Sequence, residues 1–256
     1  MISMMLLQLA RGKACAERVV EVLDTEIDIV NPENAFIPTE PKGEVGFKNV
    51  SFKYDPESHG DNILENISFK AKPGQIVGIV GGTGCGKSSL VNLIPRLYDA
   101  TQGEVLVDGV DVKKYDLKAL REMIGVVLQK NVLFSGTIEE NIRWGKKDAT
   151  HEEIVAACKA AQADSFINEQ PDGYNTYLAQ GGLNLSGGQK QRLCIARAMI
   201  KKPKILILDD STSAVDTATE AKIRESFYSD LKDTTVFIIA QRISSVKDAD
   251  EILVVD

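Results

Sequence analysis

Cysteine, long apolar runs and surplus positive charge are all scarce in this sequence. Its 4 cysteines are far apart and form no CxxC pair, which argues against a structural zinc site and against a disulfide framework. The apolar opening, residues 1–9, is much shorter than the roughly 20 residues that a membrane-spanning helix needs. A net charge of -7 disfavours a broad nucleic-acid-binding surface, which requires clustered lysine and arginine. We therefore expect a reduced, cytosolic setting and no nucleic-acid partner.

What is present is typical of a globular chain, since its 256 residues are 43% hydrophobic and 26% charged and can bury a sizeable core. Composition leaves two interpretations of the opening segment: an amphipathic helix of a soluble protein, or the cut end of a membrane helix with its cytosolic flank. The proline-rich stretch 31–41 predicts an extended linker. We expect a helix and linker over residues 1–42 and a folded domain over residues 43–256.

The folded domain carries two kinds of strand pattern. Segments 43–54 and 62–74 alternate apolar and polar residues, which predicts antiparallel strands. Segments 74–82, 204–210 and 234–240 are nearly continuous apolar runs, as expected of strands buried on both faces in a mostly parallel sheet. A ligand crevice is expected at the carboxyl ends of those strands.

Residues 150–167 carry the pattern of an amphipathic helix. Thr150 and Glu153 have the spacing of a capping box, and Cys158 falls on the apolar face, where a core position is favoured over a reactive thiol. A helical subdomain is expected over about residues 131–190.

A phosphate-binding motif directly follows the first buried strand. The stretch GGTGCGKSS fits the GxxxxGK(S/T) pattern, in which glycines let backbone N–H groups turn inward around an anion. Lys87 would reach the β and γ phosphates, and Ser88 would offer its hydroxyl to Mg²⁺. The predicted binding residues of this loop are Gly81, Gly82, Thr83, Gly84, Cys85, Gly86, Lys87, Ser88 and Ser89.

Two adjacent aspartates end the apolar strand ILIL. A nucleotide site with a phosphate loop needs an acidic residue that ends a neighbouring buried strand, and Asp209 supplies it. These two partners of one site predict binding of a nucleoside triphosphate with Mg²⁺. Asp210 is then either a catalyst or a residue at the position where a catalyst would lie.

A second anion site is predicted in LSGGQ, residues 185–189. Ser186 can cap a helix whose first turn contains Gly187 and Gly188, so that backbone N–H groups are free to point at an anion. This pentapeptide, with the phosphate loop before it and the acidic strand after it, resembles the signature of the ATP-binding cassette (ABC) family from Gly43 onward. The resemblance implies an α/β fold: a P-loop NTPase core with a mixed or parallel sheet, an antiparallel β subdomain and an α-helical subdomain.

The resemblance also implies roles for individual residues. Tyr54 stands where the family stacks an aromatic ring on adenine, and Gln129 matches the glutamine that senses Mg²⁺ and faces the membrane domain. Family knowledge implies a head-to-tail dimer in which the signature of one cassette meets ATP on the other, and SAVD, residues 213–216, resembles the D-loop. The implied signature contacts are Ser186, Gly187, Gly188 and Gln189; the implied metal ligands are Ser88, Gln129 and Asp209.

The subclass resembles an exporter of the multidrug type. Segment 9–26 is similar to the helix that joins the last membrane helix to the cassette, and segment 131–145 is typical of such exporters. The chain is therefore expected to be the ATPase part of a longer transporter at the cytoplasmic face of the membrane. It is also expected to stop short of the family's usual C-terminal end.

Three departures from the family concern hydrolysis and coupling. Asp210 replaces the family's catalytic glutamate, Gln241 replaces a histidine, and Ala179 with Gln180 replaces a glycine and a glutamate. The catalytic candidates are Asp210, Gln241 and Gln129. Because the positions that bind nucleotide and the LSGGQ signature match the family while Asp210 and Gln241 do not, the pattern resembles the degenerate cassette of a heterodimeric exporter. The alternatives are a homodimer with a slower base, a non-transport nucleotide-gated clamp and a purely regulatory subunit.

Overall fold

A computed structural model of the chain describes residues 2–56, 60–210, 215–241 and 243–256. It divides into two compact units, Met1–Val30 and Asn31–Asp256. The first unit contains the predicted opening helix, α1 (Ile2–Leu23), in which no described residue is buried. Among the described residues, no helix combines the length and the hydrophobicity that a membrane-spanning segment requires.

The second unit is built from short strands and helices. The strands are β1 (Val45–Phe52), β2 (Leu64–Ala71), β3 (Ile76–Gly81), β4 (Gln102–Val107), β5 (Val110–Asp111), β6 (Ile124–Val127), β7 (Gly136–Thr137), β8 (Tyr177–Leu178), β9 (Ile205–Asp209), β10 (Thr235–Ile239) and β11 (Glu251–Val255). The α-helices are α2 (Lys87–Asn92), α3 (Leu117–Glu122), α4 (Ile138–Arg143), α5 (His151–Ala160), α6 (Asp164–Asn168), α7 (Gly187–Met199) and α8 (Thr217–Asp230). Short 3₁₀ helices cover Val112–Lys114, Gly173–Asn175, Gln180–Gly182 and Ile243–Ser245.

A parallel sheet forms the centre of this unit, with the strand order β11-β3-β10-β9-β6. Asp209 pairs with Ile239, and Ile239 pairs with Ile79. The carboxyl ends of β3, β9 and β10 therefore meet at one edge of the sheet, where ligands bind in open α/β folds. The expected α/β core with buried strands is confirmed.

Both faces of the central sheet are covered, which explains its continuous apolar strands. On β9, Ile205 and Ile207 lie in one hydrophobic cluster with β1, α2 and β4, whereas Leu206 and Leu208 lie in another with α5, α7 and α8. Alternate side chains thus enter separate cores, because successive strand residues point to opposite faces.

The two predicted antiparallel strands, β1 and β2, lie in a separate four-stranded sheet with the order β2-β1-β4-β5, in which β4 and β5 are additional strands that the sequence analysis does not predict. Strand β1 pairs antiparallel with both β2 and β4, so this prediction is confirmed. Residues 31–42, the predicted linker, lie in the second unit, where Phe36 bridges to Tyr115.

The region between β6 and β9 is mostly helical, and α7 packs against α4, α5 and β6. Thr150 and Glu153 form the predicted capping box at the start of α5. Cys158 is fully buried on that helix, and burial raises the pKa of its thiol to about 12. The thiol is a core group, as predicted.

Candidate functional site

The phosphate loop joins the end of β3 to the start of α2. Gly84 and Gly86 have φ values of 86° and 91°, a left-handed conformation that residues with a Cβ rarely adopt. At Gly86 a Cβ would also lie 3.0 Å from the side chains of both Ile63 and Leu64. Glycine is therefore required at this turn by backbone conformation and by packing.

The Lys87 ammonium lies over this loop. Its Nζ donates to the carbonyl oxygens of Gly81 at 3.0 Å and Gly82 at 2.5 Å, and lies 3.5 Å from the Cys85 sulfur. Phosphate oxygens can take the place of these neutral acceptors, because hydrogen bonds between ionised partners are the stronger ones. The side chain is thus already positioned at the cradle.

Ser88 and Asp209 come together beside the loop, as the sequence predicts. Their side chains are hydrogen-bonded, and burial is the main cause that raises the pKa of Asp209. The charge of Asp210 raises the pKa further, while the Ser88 hydrogen bond and the Lys87 charge lower it. A hydroxyl and a carboxylate are oxygen ligands of the kind that Mg²⁺ prefers, and Mg²⁺ commonly takes its other ligands from substrate phosphates and water. These two residues therefore fit a magnesium site.

Asp210 occupies the centre of a small polar cluster. Its Oδ2 accepts a hydrogen bond from Gln241 Nε2 at 2.7 Å and lies 3.4 Å from Gln129 Nε2. The backbone at Asp210 is left-handed, with φ of 46°, and its N–H donates to the Ile239 carbonyl at 3.1 Å. The structure thus brings the three predicted catalytic residues into one cluster, and the direct bond between Asp210 and Gln241 was not predicted.

Tyr54 lies beside the phosphate loop and is 52% exposed. Its hydroxyl is 2.9 Å from the hydroxyl of Ser89 on α2. Its ring contacts Phe52 and Tyr98 in edge-to-face pairs, with centroids 5.0 Å and 4.9 Å apart. Sequence reasoning missed Tyr98, because no spacing rule joins it to Tyr54.

The predicted signature forms the start of α7. Ser186 is the N-cap: its hydroxyl accepts from the Gln189 N–H at 3.3 Å, and Gln189 Oε1 accepts from the Ser186 N–H at 2.9 Å. Gly187 and Gly188 fill the first turn, as predicted. Ser186 and Gly187 are exposed at this helix start.

The segment resembling a D-loop is only partly described. Ser213 and Ala214 lie outside the described residues. Asp216 caps α8, with its side chain accepting from the Thr219 N–H at 3.0 Å. That bond is the main reason that the pKa of Asp216 is lowered.

An exposed aromatic pair follows Gln129 in the chain. Phe134 and Trp144 stack with centroids 4.8 Å apart and are 45% and 68% exposed. The buried amide of Asn141 holds the preceding turn, because it donates to the carbonyls of Phe134 and Thr137 and accepts from the Phe134 N–H. Sequence reasoning missed this pair, although it lies within segment 131–145, which resembles exporters of the multidrug type.

The loop of residues 178–182 packs next to the same segment. The N–H of Ala179 donates to Asn184 Oδ1 at 3.2 Å, and the N–H of Gly181 donates to the Leu133 carbonyl at 3.1 Å. Gln180 begins the 3₁₀ turn Gln180–Gly182. The loop of residues 178–182 is therefore hydrogen-bonded directly to segment 131–145.

The chain matches the sequence model of a known protein family. The profile described as ABC transporter matches residues 64–213. A bacterial Atm1-family ABC exporter solved with ATP bound superposes with a TM-score of 0.89 at 38% identity, covering 96% of this chain and 43% of that chain.

Curated relatives agree with this match. An uncharacterized ABC transporter ATP-binding protein of Bacillus subtilis, YknU, is 48% identical over 245 residues, which are 96% of this chain and 42% of that protein. ABC transporter B family member 3 of Dictyostelium discoideum is 44% identical over 246 residues, or 95% of this chain and 17% of that protein. The chain thus spans less than half the length of these relatives.

Proposed function

The chain belongs to the ABC transporter family, a family of P-loop ATPases, and from that premise we propose that it is the ATP-binding and energy-coupling part of an ABC exporter. One observation carries the proposal: Lys87, Ser88 and Asp209 lie together at the carboxyl edge of the parallel sheet. A solved relative with this fold is a bacterial Atm1-family ABC exporter with ATP bound.

Different residues of the site bind different parts of the nucleotide. Lys87 gives up its two carbonyl acceptors and binds phosphate oxygens, and the glycines of residues 81–86 direct N–H groups at the same anion. Ser88 and Asp209 hold Mg²⁺, which neutralises phosphate charge when bound, with Gln129 as the proposed third protein ligand. Tyr54 stacks on the adenine.

The signature acts on a second cassette. The N-terminus of α7 carries a partial positive charge, and Ser186 and Gly187 are exposed there. Both features support a head-to-tail dimer in which Ser186, Gly187, Gly188 and Gln189 contact ATP held by the partner. We propose that this partner is a different cassette with a complete catalytic site.

The chain's own site binds ATP but hydrolyses it slowly. Hydrolysis requires a base that takes a proton from a water molecule. The oxygen of that water attacks the γ-phosphorus, and the bond between the γ-phosphorus and the β–γ bridging oxygen breaks. Asp210 is one methylene shorter than glutamate, which withdraws its carboxylate by about 1.5 Å. Gln241 is neutral, so it adds no positive charge where negative charge develops. Both changes reduce turnover without removing a binding contact.

The surface around Phe134 and Trp144 is the proposed contact with the membrane domain. Exposed aromatic residues are enriched in protein interfaces, and this pair follows Gln129 and adjoins the loop containing Ala179 and Gln180. In this proposal residues 1–42 are the helix and linker from the membrane domain. Residues 43–256 are the cassette, with a helical subdomain over about 131–190, at the cytoplasmic face of the membrane.

Equilibrium binding of Mg-ATP to the purified chain, together with phosphate release, tests the proposal. We expect the wild-type chain to bind Mg-ATP and release phosphate slowly. Lys87→Ala should weaken binding by about 10- to 100-fold, because a hydrogen bond to a charged group contributes roughly 1.5–3 kcal/mol.

The matched control is Lys118→Ala, which removes a lysine whose side chain is 84% exposed. Its affinity should equal that of the wild type. Equal ATP affinity in the Lys87→Ala and wild-type chains would contradict ATP binding at this site. Brisk hydrolysis by the wild-type chain alone would contradict only the impaired site.

A further inference from the structure

Three aromatic rings form a cluster beside the phosphate loop. Phe52 and Tyr98 each meet Tyr54 at steep interplanar angles, 78° and 82°, and also contact each other with centroids 5.7 Å apart. Phe52 is buried in the core of the antiparallel sheet, whereas Tyr54 and Tyr98 are 52% and 40% exposed. Tyr54 is therefore supported from inside by Phe52 and at the surface by Tyr98.

The turn that carries Tyr98 is tightly held. Arg96 is almost fully buried and binds both carboxylate oxygens of Asp99, at 2.8 Å and 3.1 Å. Arg121 donates to the backbone carbonyls of Pro95 at 3.1 Å and Arg96 at 2.8 Å. These bonds fix the backbone on both sides of Tyr98, so its ring is a rigid support.

We infer that Tyr98 is a positioning residue of the nucleobase site, which holds the Tyr54 ring in the orientation that stacks on the base. Tyr54 is fixed at two points: its hydroxyl meets Ser89 at 2.9 Å, and its ring meets Tyr98. Edge-to-face pairs of this kind stabilise one ring orientation beyond simple burial. The stacking surface is thus assembled before a nucleotide arrives, which lowers the ordering cost of binding.

This inference rests on the proposed ATP-binding function and adds a residue to its base subsite. Tyr98 acts on the base and leaves the phosphates alone, because Lys87 and Ser88 hold the phosphate end. Loss of Tyr98 should therefore weaken ATP binding and leave binding of a phosphate chain without a base unchanged.

Isothermal titration of the whole chain with Mg-ATP and with magnesium tripolyphosphate tests this. Tyr98→Leu should weaken Mg-ATP binding by about 2- to 12-fold, the range expected for loss of one aromatic pair. Its tripolyphosphate affinity should not change. Tyr98→Phe keeps the ring and should retain the wild-type ATP affinity. The control is Tyr228→Leu, which removes a 45% exposed tyrosine on α8.

A double-mutant cycle separates positioning from a general loss of structure. In a Tyr54→Leu chain there is no ring to position, so adding Tyr98→Leu should change ATP affinity by less than about twofold. Equal losses for ATP and tripolyphosphate, or an undiminished effect of Tyr98→Leu in the Tyr54→Leu chain, would overturn the inference. So would wild-type ATP affinity in Tyr98→Leu, which leaves the proposed function intact. A wild-type chain that binds neither ligand would refute the proposed function itself.

Discussion

Changing Asp210 to glutamate and Gln241 to histidine, singly and together, measures how far the two residues act as a unit. In the structure Gln241 Nε2 already lies 2.7 Å from Asp210 Oδ2. A glutamate on the same backbone extends by about 1.5 Å, so its carboxylate would overlap the Gln241 amide. Either that amide or the new carboxylate must turn away, and Asp210→Glu alone should recover little activity.

The backbone conformation at position 210 also makes glutamate less stable than aspartate there. Asp210 has φ of 46°, a conformation that aspartate tolerates because its short side chain can bond locally, whereas other residues lose roughly 1–2 kcal/mol. Gln241→His alone also gains little, since Asp210 remains too short. Each single change should therefore alter kcat by no more than about threefold if the pair acts together.

The double variant should behave differently. A correctly positioned base contributes about 10²- to 10⁴-fold to rate, or roughly 3–5 kcal/mol of barrier. We expect the double variant to gain at least about 10²-fold in kcat. Two independent threefold effects would account for about a tenfold gain, so the remaining factor of about ten corresponds to a coupling free energy of at least about 1.4 kcal/mol between the two residues. ATP affinity should stay constant, because Lys87, Ser88 and Asp209 are untouched.

Steady-state phosphate release over a range of ATP concentrations and pH is the assay. Histidine titrates near neutral pH, so the double variant should acquire a pH dependence between about pH 6 and 8 that Gln241 chains lack. The reasoning is refuted if Asp210→Glu alone raises kcat about 10²-fold, or if the two single effects simply multiply. Thermal unfolding of all four chains shows that each is folded.

Two further predictions use the signature and the magnesium-side acid. Ser186→Ala and Thr150→Ala each remove a capping box and should each cost about 1 kcal/mol, or roughly 2–4 °C in Tm; only Ser186→Ala should also reduce ATPase activity of a partner cassette, and equal activity of the two variants contradicts the dimer. Burial raises the folded pKa of Asp209 above its ordinary value of 3.8, so its ionisation opposes folding as pH rises through the raised pKa. Asp209→Asn should therefore raise Tm at pH 7 and lose that gain as pH falls toward 3.8 and below; a lower Tm at pH 7 would refute this reading.

Much of the fold is readable in the sequence because its signals are local. The apolar runs of β3, β9 and β10 identify strands with two buried faces, and the capping boxes at Thr150 and Ser186 each lie within four residues. Strand β6 is not predicted, because an apolar run of four residues without flanking glycine or proline cannot be told from part of a buried helix. The two-residue strands β7 and β8 carry no period that could be detected.

In the candidate site, too, the sequence predicts some features and leaves the contacts between distant residues undetermined. The phosphate loop and the acidic strand end follow from residue types at fixed spacing, so Lys87, Ser88 and Asp209 can be predicted as nucleotide and magnesium contacts without the fold. The resemblance to the family also implies that glutamate and histidine are replaced at positions 210 and 241. It could not show that the replacing side chains bond to each other.

Tertiary structure decided those contacts. Parallel pairing of β9 with β10 brings Gln241 to Asp210, and the turn after α2 brings Tyr98 to Tyr54. In both pairs the residues are far apart in the chain, and their meeting depends on strand register and packing, which no short-range pattern encodes. The sequence by itself thus determined which chemical groups this protein has, and the folded chain determined which of them act on one another.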